Sequence, residues 1–338
     1  MKKLVAVLAL LCGTTLAQNP HIGVSLQGLS GAPEQRIKVA KELGATWYRP
    51  VPVLLLGDAK CEDCEAARNA GLNISLVVRN SDAAGKPGSA VIDTADFQKK
   101  LRAVLEREKP AMLVVEDEPE DPKNFSGTPE DYGTELRAAC EAAHELKIQC
   151  ANGGFNSIAT ANLVTDQRIA TDPIDASNFA LTAEILRVHI GSKLDVSVFN
   201  KRLGNDKAEQ DAIIAATKQY LEKHRAEIDR TRKFLIAINA AGVDRLNFHW
   251  YELQPDNVPK VLDSLHQLSK VDLMSDEMGQ KEERAFETSE KIRVALENFV
   301  WPTIWAAADG KEGAVGLVDK KGKLRSNAKG FQMEATQK

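Results

Sequence analysis

Short apolar segments alternate with longer amphipathic segments along almost the whole chain. Eight of the short segments are rich in β-branched and aromatic residues, which favour strands, and the segments between them have helical periodicity. The eight predicted strands lie at residues 21–26, 45–51, 72–79, 111–118, 147–154, 244–252, 271–279 and 302–309. This regular alternation indicates βα units and a parallel sheet.

Eight βα units in a chain of this length predict the α/β class and a (β/α)8 TIM barrel. The helices between the strands are predicted at residues 34–43, 61–71, 95–108, 129–146, 211–242, 257–268 and 284–299. An open doubly wound sheet is the alternative, but no glycine-rich GxGxxG turn follows the first strand. In a TIM barrel the residues at the carboxyl ends of the strands become candidates for the active site.

One segment does not fit the repeating pattern. Residues 155–206 are too long for a connecting loop and too mixed in character for a second domain. We therefore expect residues 18–338 to form a single (β/α)8 catalytic domain, with 155–206 as an inserted loop region on the catalytic face, where it would form a lid or one wall of the cleft.

The chain begins with the three-part pattern of a secretory signal peptide. Lys2 and Lys3 precede an apolar run, and small residues lead to Ala17. The apolar run is too short to cross a bilayer, so residues 1–17 are predicted to be removed and the protein to be secreted or periplasmic. Cys12 suggests a lipoprotein as the alternative, but Leu10 and Leu11 stand where a lipid-attachment site needs small residues.

Composition narrows the range of partners. The chain is 43% hydrophobic and 27% charged, with a net charge of −4. It has no basic stripe of the kind that binds nucleic acid, and no later segment is long and apolar enough to span a membrane. No motif in the chain calls for a cofactor. Aromatic residues make up only 5% of the chain.

Four cysteines remain after removal of the leader: Cys61, Cys64, Cys140 and Cys150. An exported chain favours disulfides, and four cysteines allow three connectivities. Pairing of neighbours, Cys61 with Cys64 and Cys140 with Cys150, is the simplest of the three. A redox or zinc site at the CxxC is the alternative, but no second CxxC or paired histidines complete a metal set.

The stretch LVVEDEPED, residues 113–121, places acidic residues directly after an apolar run. It is either a solvated acidic loop after a strand or a strand end that holds a carboxylate for chemistry. Calcium or magnesium binding by its carboxylates was a further possibility. The run lacks the glycine-punctuated spacing of calcium loops and supplies no second cluster, so we predict no metal site.

Polar and aromatic residues stand at the ends of six predicted strands. In strand order they are Arg49 on the second, Glu118 on the fourth, Asn152 on the fifth, His249 and Tyr251 on the sixth, Glu277 on the seventh and Trp305 on the eighth. Glu118 and Glu277 would face each other across the mouth of a barrel. Cleavage of a glycosidic bond with retention needs two carboxyl groups separated by about 5 to 5.5 Å.

These motifs carry a resemblance to a known group of enzymes. EDEPED, followed by FSGTPEDYGTELRAACEAAHEL, and SDEMGQ resemble the corresponding strand ends of the glycoside hydrolases of clan A, which are retaining (β/α)8 enzymes. The resemblance implies that Glu118 is the acid/base and that Glu277 is the nucleophile. It also implies that Tyr251 and Arg49 contact Glu277, and that Trp305 forms the aromatic floor under the sugar.

The family has Asn before its acid/base residue, whereas this chain has Asp117. Ionised Asp only accepts hydrogen bonds, so contact with a sugar 2-hydroxyl would need the hydroxyl as donor. Asn152 and His249 are predicted to bind other sugar hydroxyls. The sequence thus predicts a secreted, cofactor-free glycoside hydrolase that cleaves a β-glycosidic bond by double displacement. A carbohydrate-binding barrel without turnover is the alternative, favoured by Asp117 and the low aromatic content.

Overall fold

Eight parallel strands close into a barrel in the computed structural model of the protein. They are β1 (Ile22–Ser25), β2 (Trp47–Arg49), β3 (Asn73–Arg79), β4 (Met112–Val115), β5 (Gln149–Asn152), β6 (Arg245–Trp250), β7 (Asp272–Met278) and β8 (Thr303–Ala306). Each strand pairs with the next, and β8 pairs with β1, where Trp305 lies opposite Val24. A two-residue strand, Leu54–Leu55, also pairs with β3. The predicted TIM barrel is therefore confirmed, and the doubly wound alternative is wrong.

The structure describes residues 18–57, 60–81, 86–191, 203–204, 206–252, 254–309 and 313–336. The predicted signal peptide, residues 1–17, lies outside the described residues. Within them, no helix combines the length and apolar character that crossing a membrane requires.

Twelve helices lie within the described residues and follow or separate the strands. They are α1 (Pro33–Leu43), α2 (Cys64–Asn69), α3 (Thr94–Glu108), α4 (Pro129–Glu145), α5 (Ser157–Arg168), α6 (Pro173–Thr182), α7 (Glu184–Gly191), α8 (Lys207–Lys223), α9 (Arg225–Asn239), α10 (Val258–Leu268), α11 (Ala285–Glu297) and α12 (Ser326–Ala335). The single helix predicted at 211–242 is wrong, because His224 leaves helical geometry between α8 and α9. No Gly or Pro marks that break in the sequence.

The segment predicted as an inserted loop is largely helical where it is described. The Asn156 side chain accepts a hydrogen bond from the Ala159 N–H and caps α5, and most of α5 is buried against α9, α10 and β6. The segment also reaches the face of the barrel at the carboxyl ends of the strands. The carboxylate of Glu252, just beyond β6, accepts hydrogen bonds from the N–H groups of Glu184 and Ile185, which begin α7. A lid or wall function for this segment stays a prediction.

The core has two layers because side chains alternate along each strand. One face of each strand packs against the surrounding helices, while the other fills the barrel. The interior layer includes Val77, Met112, Val114, Ala151 and Met274. Further along β6 and β7, polar residues such as His249 and Glu277 lie toward the mouth.

Two disulfides tie helices to neighbouring segments of the barrel. Cys61 pairs with Cys64 at the start of α2, and Cys140 on α4 pairs with Cys150 on β5. The expected pairing of neighbours is confirmed, and because both sulfurs of the CxxC are in a disulfide, the zinc alternative does not hold for this state of the protein.

Candidate active site

The side chains of the three glutamates in the acidic run after β4 point in different directions. Glu116 and Glu118 both have left-handed backbone conformations, with φ of 66° and 50°. The Glu116 carboxylate lies 3.1 Å from Nε of Arg79, and the Glu120 carboxylate accepts a hydrogen bond from the backbone N–H of Asn156 at 2.7 Å. The Glu118 carboxylate instead contacts the His249 ring at the mouth of the barrel. The run is thus neither a solvated loop nor a single cluster of metal ligands.

A bulge in β7 brings two neighbouring carboxylates into the mouth. Asn247 on β6 lies opposite Met274, but His249, two residues later, lies opposite Glu277. Strand β7 therefore contains one extra residue over this interval, and Asp276 and Glu277 do not alternate between the two faces of the sheet. Both side chains contact the buried guanidinium of Arg49.

His249 lies between the two glutamates. Its Nδ1 is 2.9 Å from Oε1 of Glu118 and 3.7 Å from Oε2 of Glu277. Because both oxygens are measured from the same nitrogen, they lie within about 6.6 Å of each other. Gly154 leaves the space for the ring, since a Cβ at this position would lie 2.3 Å from Nε2 of His249.

Arg49 and Tyr251 hold Glu277 from the other sides. Nη1 of Arg49 is 3.3 Å from Oε2 of Glu277, and Nη2 is 3.1 Å from Oδ1 of Asp117. The hydroxyl of Tyr251 donates a hydrogen bond of 2.5 Å to Oε1 of Glu277. The structure thus brings together five of the predicted site residues in addition to Glu118: Arg49, Asp117, His249, Tyr251 and Glu277.

The charges in this cluster compensate one another. Burial alone would lower the pKa of His249, but the charge of Glu277 and the hydrogen bonds to Asp276 and Glu118 raise it well above its usual range. Burial would likewise raise the pKa of Asp276, but Arg49 and His249 hold it well below its usual range. The site therefore places a histidine with a raised pKa and a guanidinium among several carboxylates.

Two predicted substrate-binding residues do not reach the mouth. Asn152 is buried, and its side chain accepts a hydrogen bond from the N–H of Asn247 at 2.7 Å and donates one to the Asn247 carbonyl at 3.0 Å. These bonds join β5 to β6, so the side-chain amide of Asn152 stabilises the sheet. Its predicted contact with sugar hydroxyls is not supported by this geometry.

Trp305 is also outside the site, which corrects its predicted role as the floor under the sugar. It pairs with Val24 on the helix-facing side of the sheet, is fully buried, and has Nζ of Lys291 on α11 5.9 Å from its ring centroid. The next residue, Ala306, faces the mouth. Because neighbouring strand residues face opposite sides, only one of these two can face the barrel interior, and that residue is Ala306.

A small cavity opens beside Glu277. Seven residues line it: Ser25, Gln27, Arg49, Tyr251, Glu277, Ala306 and Ala308. The two glutamates are nevertheless well covered, since Glu118 is 5% exposed and Glu277 is 2% exposed. Among the described residues that line it, Tyr251 is the only aromatic one.

Two groups of side chains among the described residues are close enough to share a metal ion. One contains Cys61 and Cys64, which are in a disulfide. The other contains Asp117, His249 and Glu277, whose ligand atoms lie within 4.8 Å of one another. Both ring nitrogens of this histidine face carboxylate oxygens, and Arg49 already contacts both acids of the group, so we assign no metal to it.

Sequence reasoning missed two residues of this site. Asp276 contacts both Arg49 and His249, and Nδ2 of Asn124 donates a hydrogen bond to Oε2 of Glu118 at 3.2 Å. The repeated Asp-Glu pair, at 117–118 and at 276–277, was the available signal for Asp276. Strict strand alternation argued against it, because only the bulge lets both residues of the second pair face inward.

Comparison with known proteins identifies similar structures but no sequence relatives. No protein-family model matches the chain, and no curated protein does. A glucosidase from Croceicoccus marinus superposes with a TM-score of 0.57 at 12% identity, over 94% of this chain and 67% of that one. A GH128 (subgroup II) endo-β-1,3-glucanase from Pseudomonas viridiflava superposes with a TM-score of 0.53 at 12% identity, over 94% and 98% of the two chains.

A GH128 (subgroup I) endo-β-1,3-glucanase from Amycolatopsis mediterranei, solved with laminarihexaose, gives a TM-score of 0.52 at 12% identity. The match covers 93% of this chain and 99% of that one. At such low identity these similarities establish the barrel fold that this chain shares with glycoside hydrolases.

Proposed function

We propose that the protein is a retaining glycoside hydrolase that cleaves β-linked sugars. One observation carries the proposal: Glu118 and Glu277, 159 positions apart in the chain, both approach Nδ1 of His249 at the mouth of the barrel. The resulting limit of about 6.6 Å between two of their oxygens accommodates the short separation of a retaining pair and only the low end of the inverting range, which is about 6.5 to 9.5 Å.

In this proposal Glu277 is the nucleophile. It must be ionised to attack the anomeric carbon, and the Arg49 guanidinium and the Tyr251 hydroxyl stabilise its charge. The attack forms a glycosyl ester on Glu277 and releases the leaving group.

Glu118 is the acid and then the base. It gives a proton to the glycosidic oxygen as the first bond breaks, and it then takes a proton from the water that hydrolyses the ester. Its backbone conformation and its contacts with His249 and Asn124 orient its carboxyl group for both steps.

β-1,3-Glucan oligosaccharides are the first substrates to test, because several structural neighbours are described as β-1,3-glucanases and one was solved with laminarihexaose. We also propose that the protein is exported. The leader-like sequence of residues 1–17 and the two disulfides support this proposal, since disulfides are typical of oxidising compartments.

A carbohydrate-binding barrel without turnover is the second candidate. The observation that favours it is the burial of both glutamates. In addition, the described residues that line the cavity include no tryptophan or phenylalanine. Long polysaccharide clefts usually present several aromatic platforms to the sugar rings.

Covalent trapping separates the two candidates. The wild-type protein and Glu277→Gln are incubated with 2-deoxy-2-fluoro glycosyl fluorides of the gluco series, including the β-1,3-linked disaccharide. The fluorine slows hydrolysis of the glycosyl ester, so a working nucleophile accumulates as an adduct. Peptide mass spectrometry then locates the modified residue.

We expect a mass increase on Glu277 in the wild type and none in the variant. Hydrolysis of laminari-oligosaccharides, followed by proton NMR, should release the β-anomer first. Sugar binding without any adduct or product would support the binding barrel, and an adduct on another carboxylate would refute the assignment of Glu277.

A further inference from the structure

We propose that Asp276 is a positioning residue that keeps His249 doubly protonated and fixes Arg49, and thereby links the environments of Glu118 and Glu277. The part of this inference that concerns catalysis rests on the proposed function. The part that concerns the histidine proton does not.

Each oxygen of Asp276 has a defined neighbour. Oδ1 is 3.1 Å from Nε2 of His249 and accepts a hydrogen bond of 2.6 Å from Nδ2 of Asn247, while Oδ2 is 3.0 Å from Nε of Arg49. Asp276 is fully buried, so these neighbours replace water around its charge. Arg49 in turn contacts Glu277, and His249 contacts Glu118.

The orientation of the Asn247 amide fixes which groups donate. Its Oδ1 accepts a hydrogen bond of 3.0 Å from the backbone N–H of Asp276, so its Nδ2 must be the atom that faces Oδ1 of Asp276. The aspartate oxygen is therefore an acceptor, which is the role expected of an ionised carboxylate.

The hydrogen-bond partners of the two ring nitrogens then indicate the protonation state of His249. A neutral imidazole has one N–H and one lone pair, and a lone pair that faced a carboxylate oxygen would be repelled. Nε2 faces Asp276, so it carries hydrogen, and Nδ1 faces Glu118, so it carries hydrogen as well whenever Glu118 is ionised. Removal of the Asp276 charge takes away the ionised acceptor that stabilises the proton on Nε2.

Asp276 does not act on His249 alone. The titratable and charged groups around the ring are Asp117, Glu118 and Glu120 after β4, Asp276 and Glu277 on β7, and Arg49 on β2, whose positive charge has the opposite effect. The specific contribution of Asp276 is its hydrogen bond at Nε2. Asn at position 276 has one acceptor oxygen, so an NH₂ donor would replace the oxygen that faces either His249 or Arg49.

The test follows the imidazole protons directly. Protein labelled with ¹⁵N-histidine is titrated by NMR between pH 5 and pH 9 as wild type and as Asp276→Asn. His249→Gln identifies the His249 signals among the six histidines. Asp272→Asn, at the exposed opposite end of the same strand, is the matched control.

We expect wild-type His249 to give the signals of an imidazolium throughout the neutral range. In Asp276→Asn the titration midpoint should move to lower pH by about one unit or more, while Asp272→Asn should titrate as the wild type does. A neutral His249 in the wild type at pH 7, or an unchanged midpoint in Asp276→Asn, would overturn the proposal. If Asp276→Asn does not fold, Asp276→Ser replaces it.

Kinetics supply a second readout that a purely structural role would not move. Asp276→Asn should lower kcat more than it raises KM, and should shift the alkaline limb of the kcat/KM profile to lower pH. If the wild type shows neither hydrolysis nor a fluorosugar adduct, the proposed function fails, but the NMR result still decides the role of Asp276.

Discussion

The same dipeptide, Asp-Glu, stands on both sides of the barrel mouth and has a different environment on each side. Asp117 and Glu118 follow the end of β4, where Glu118 has a left-handed backbone conformation and the Asp117 side chain is 18% exposed. Asp276 and Glu277 lie inside β7, where a bulge buries both. The difference shows that strand geometry, and not residue type, assigns each carboxylate its neighbours.

Both aspartates contact Arg49, but only Asp276 also contacts His249 within hydrogen-bonding distance among the contacts described. Of the two glutamates, Glu277 accepts a hydrogen bond from the Tyr251 hydroxyl and forms an ion pair with Arg49. Both contacts suit an ionised nucleophile. Glu118 faces an imidazolium and an amide, which suits a group that exchanges protons. The following predictions test this division.

Replacement of either glutamate should produce the largest effect and should distinguish the two sides. Glu277→Gln and Glu118→Gln should each lower kcat by about 10³-fold or more, because each removes a group that changes bonding in the reaction. Added azide should restore turnover, as glycosyl azide, only in Glu118→Gln with an activated aryl glycoside, since azide needs no base.

Glu120→Gln is the matched control for that pair, because it lies in the same acidic run and outside the mouth. It should retain nearly the full rate. Azide rescue of Glu277→Gln to the β-glycosyl azide, with no such product from Glu118→Gln, would mean that the two roles are reversed.

Tyr251→Phe should have the next largest effect, because it removes one donor from Glu277 and leaves the ring in place. We expect kcat to fall by about 10- to 100-fold, with little change in KM, since the lost bond supports the charge of the nucleophile. Steady-state kinetics on an aryl glycoside measure this. If KM rises strongly while kcat stays unchanged, so that kcat/KM falls through KM alone, Tyr251 instead binds the sugar.

Glu120→Gln should change stability and its pH dependence. Burial raises the pKa of Glu120 to about 8, although the Asn156 N–H opposes this and the charge of Glu118 adds to it. The folded state therefore holds this proton more tightly than the unfolded state, whose pKa is near 4.5. The resulting contribution to stability is complete below pH 4.5 and is lost as the pH rises to about 8.

At pH 8.5 the variant should exceed the wild type by about 2 to 4 kcal/mol in the free energy of unfolding, and the difference should be much smaller at pH 4.5. Urea denaturation at the two pH values measures it. The same difference at both pH values would show that Glu120 does not retain its proton in the folded protein.

Asp117→Asn should have the smallest effect and would sharpen the contrast between the two aspartates. Asp117 reaches Arg49 from the more exposed side, and an amide can replace its contact with a sugar hydroxyl. We expect hydrolysis to be retained or improved, within about threefold of the wild type. A complete loss of rate in pH-matched assays would mean that Asp117 has a role beyond its contact with Arg49.

The sequence by itself determined the eight strands, their parallel arrangement and the placement of Glu118 and Glu277 at strand ends, because hydrophobic periodicity is a local property of the chain. It did not show that His224 separates two helices, that Trp305 faces the helices or that Asn152 joins β5 to β6. Strand register decides which face a residue occupies, and register depends on contacts between distant segments. The bulge that adds Asp276 to the site and the left-handed backbone that turns Glu118 toward His249 arise only when the barrel closes.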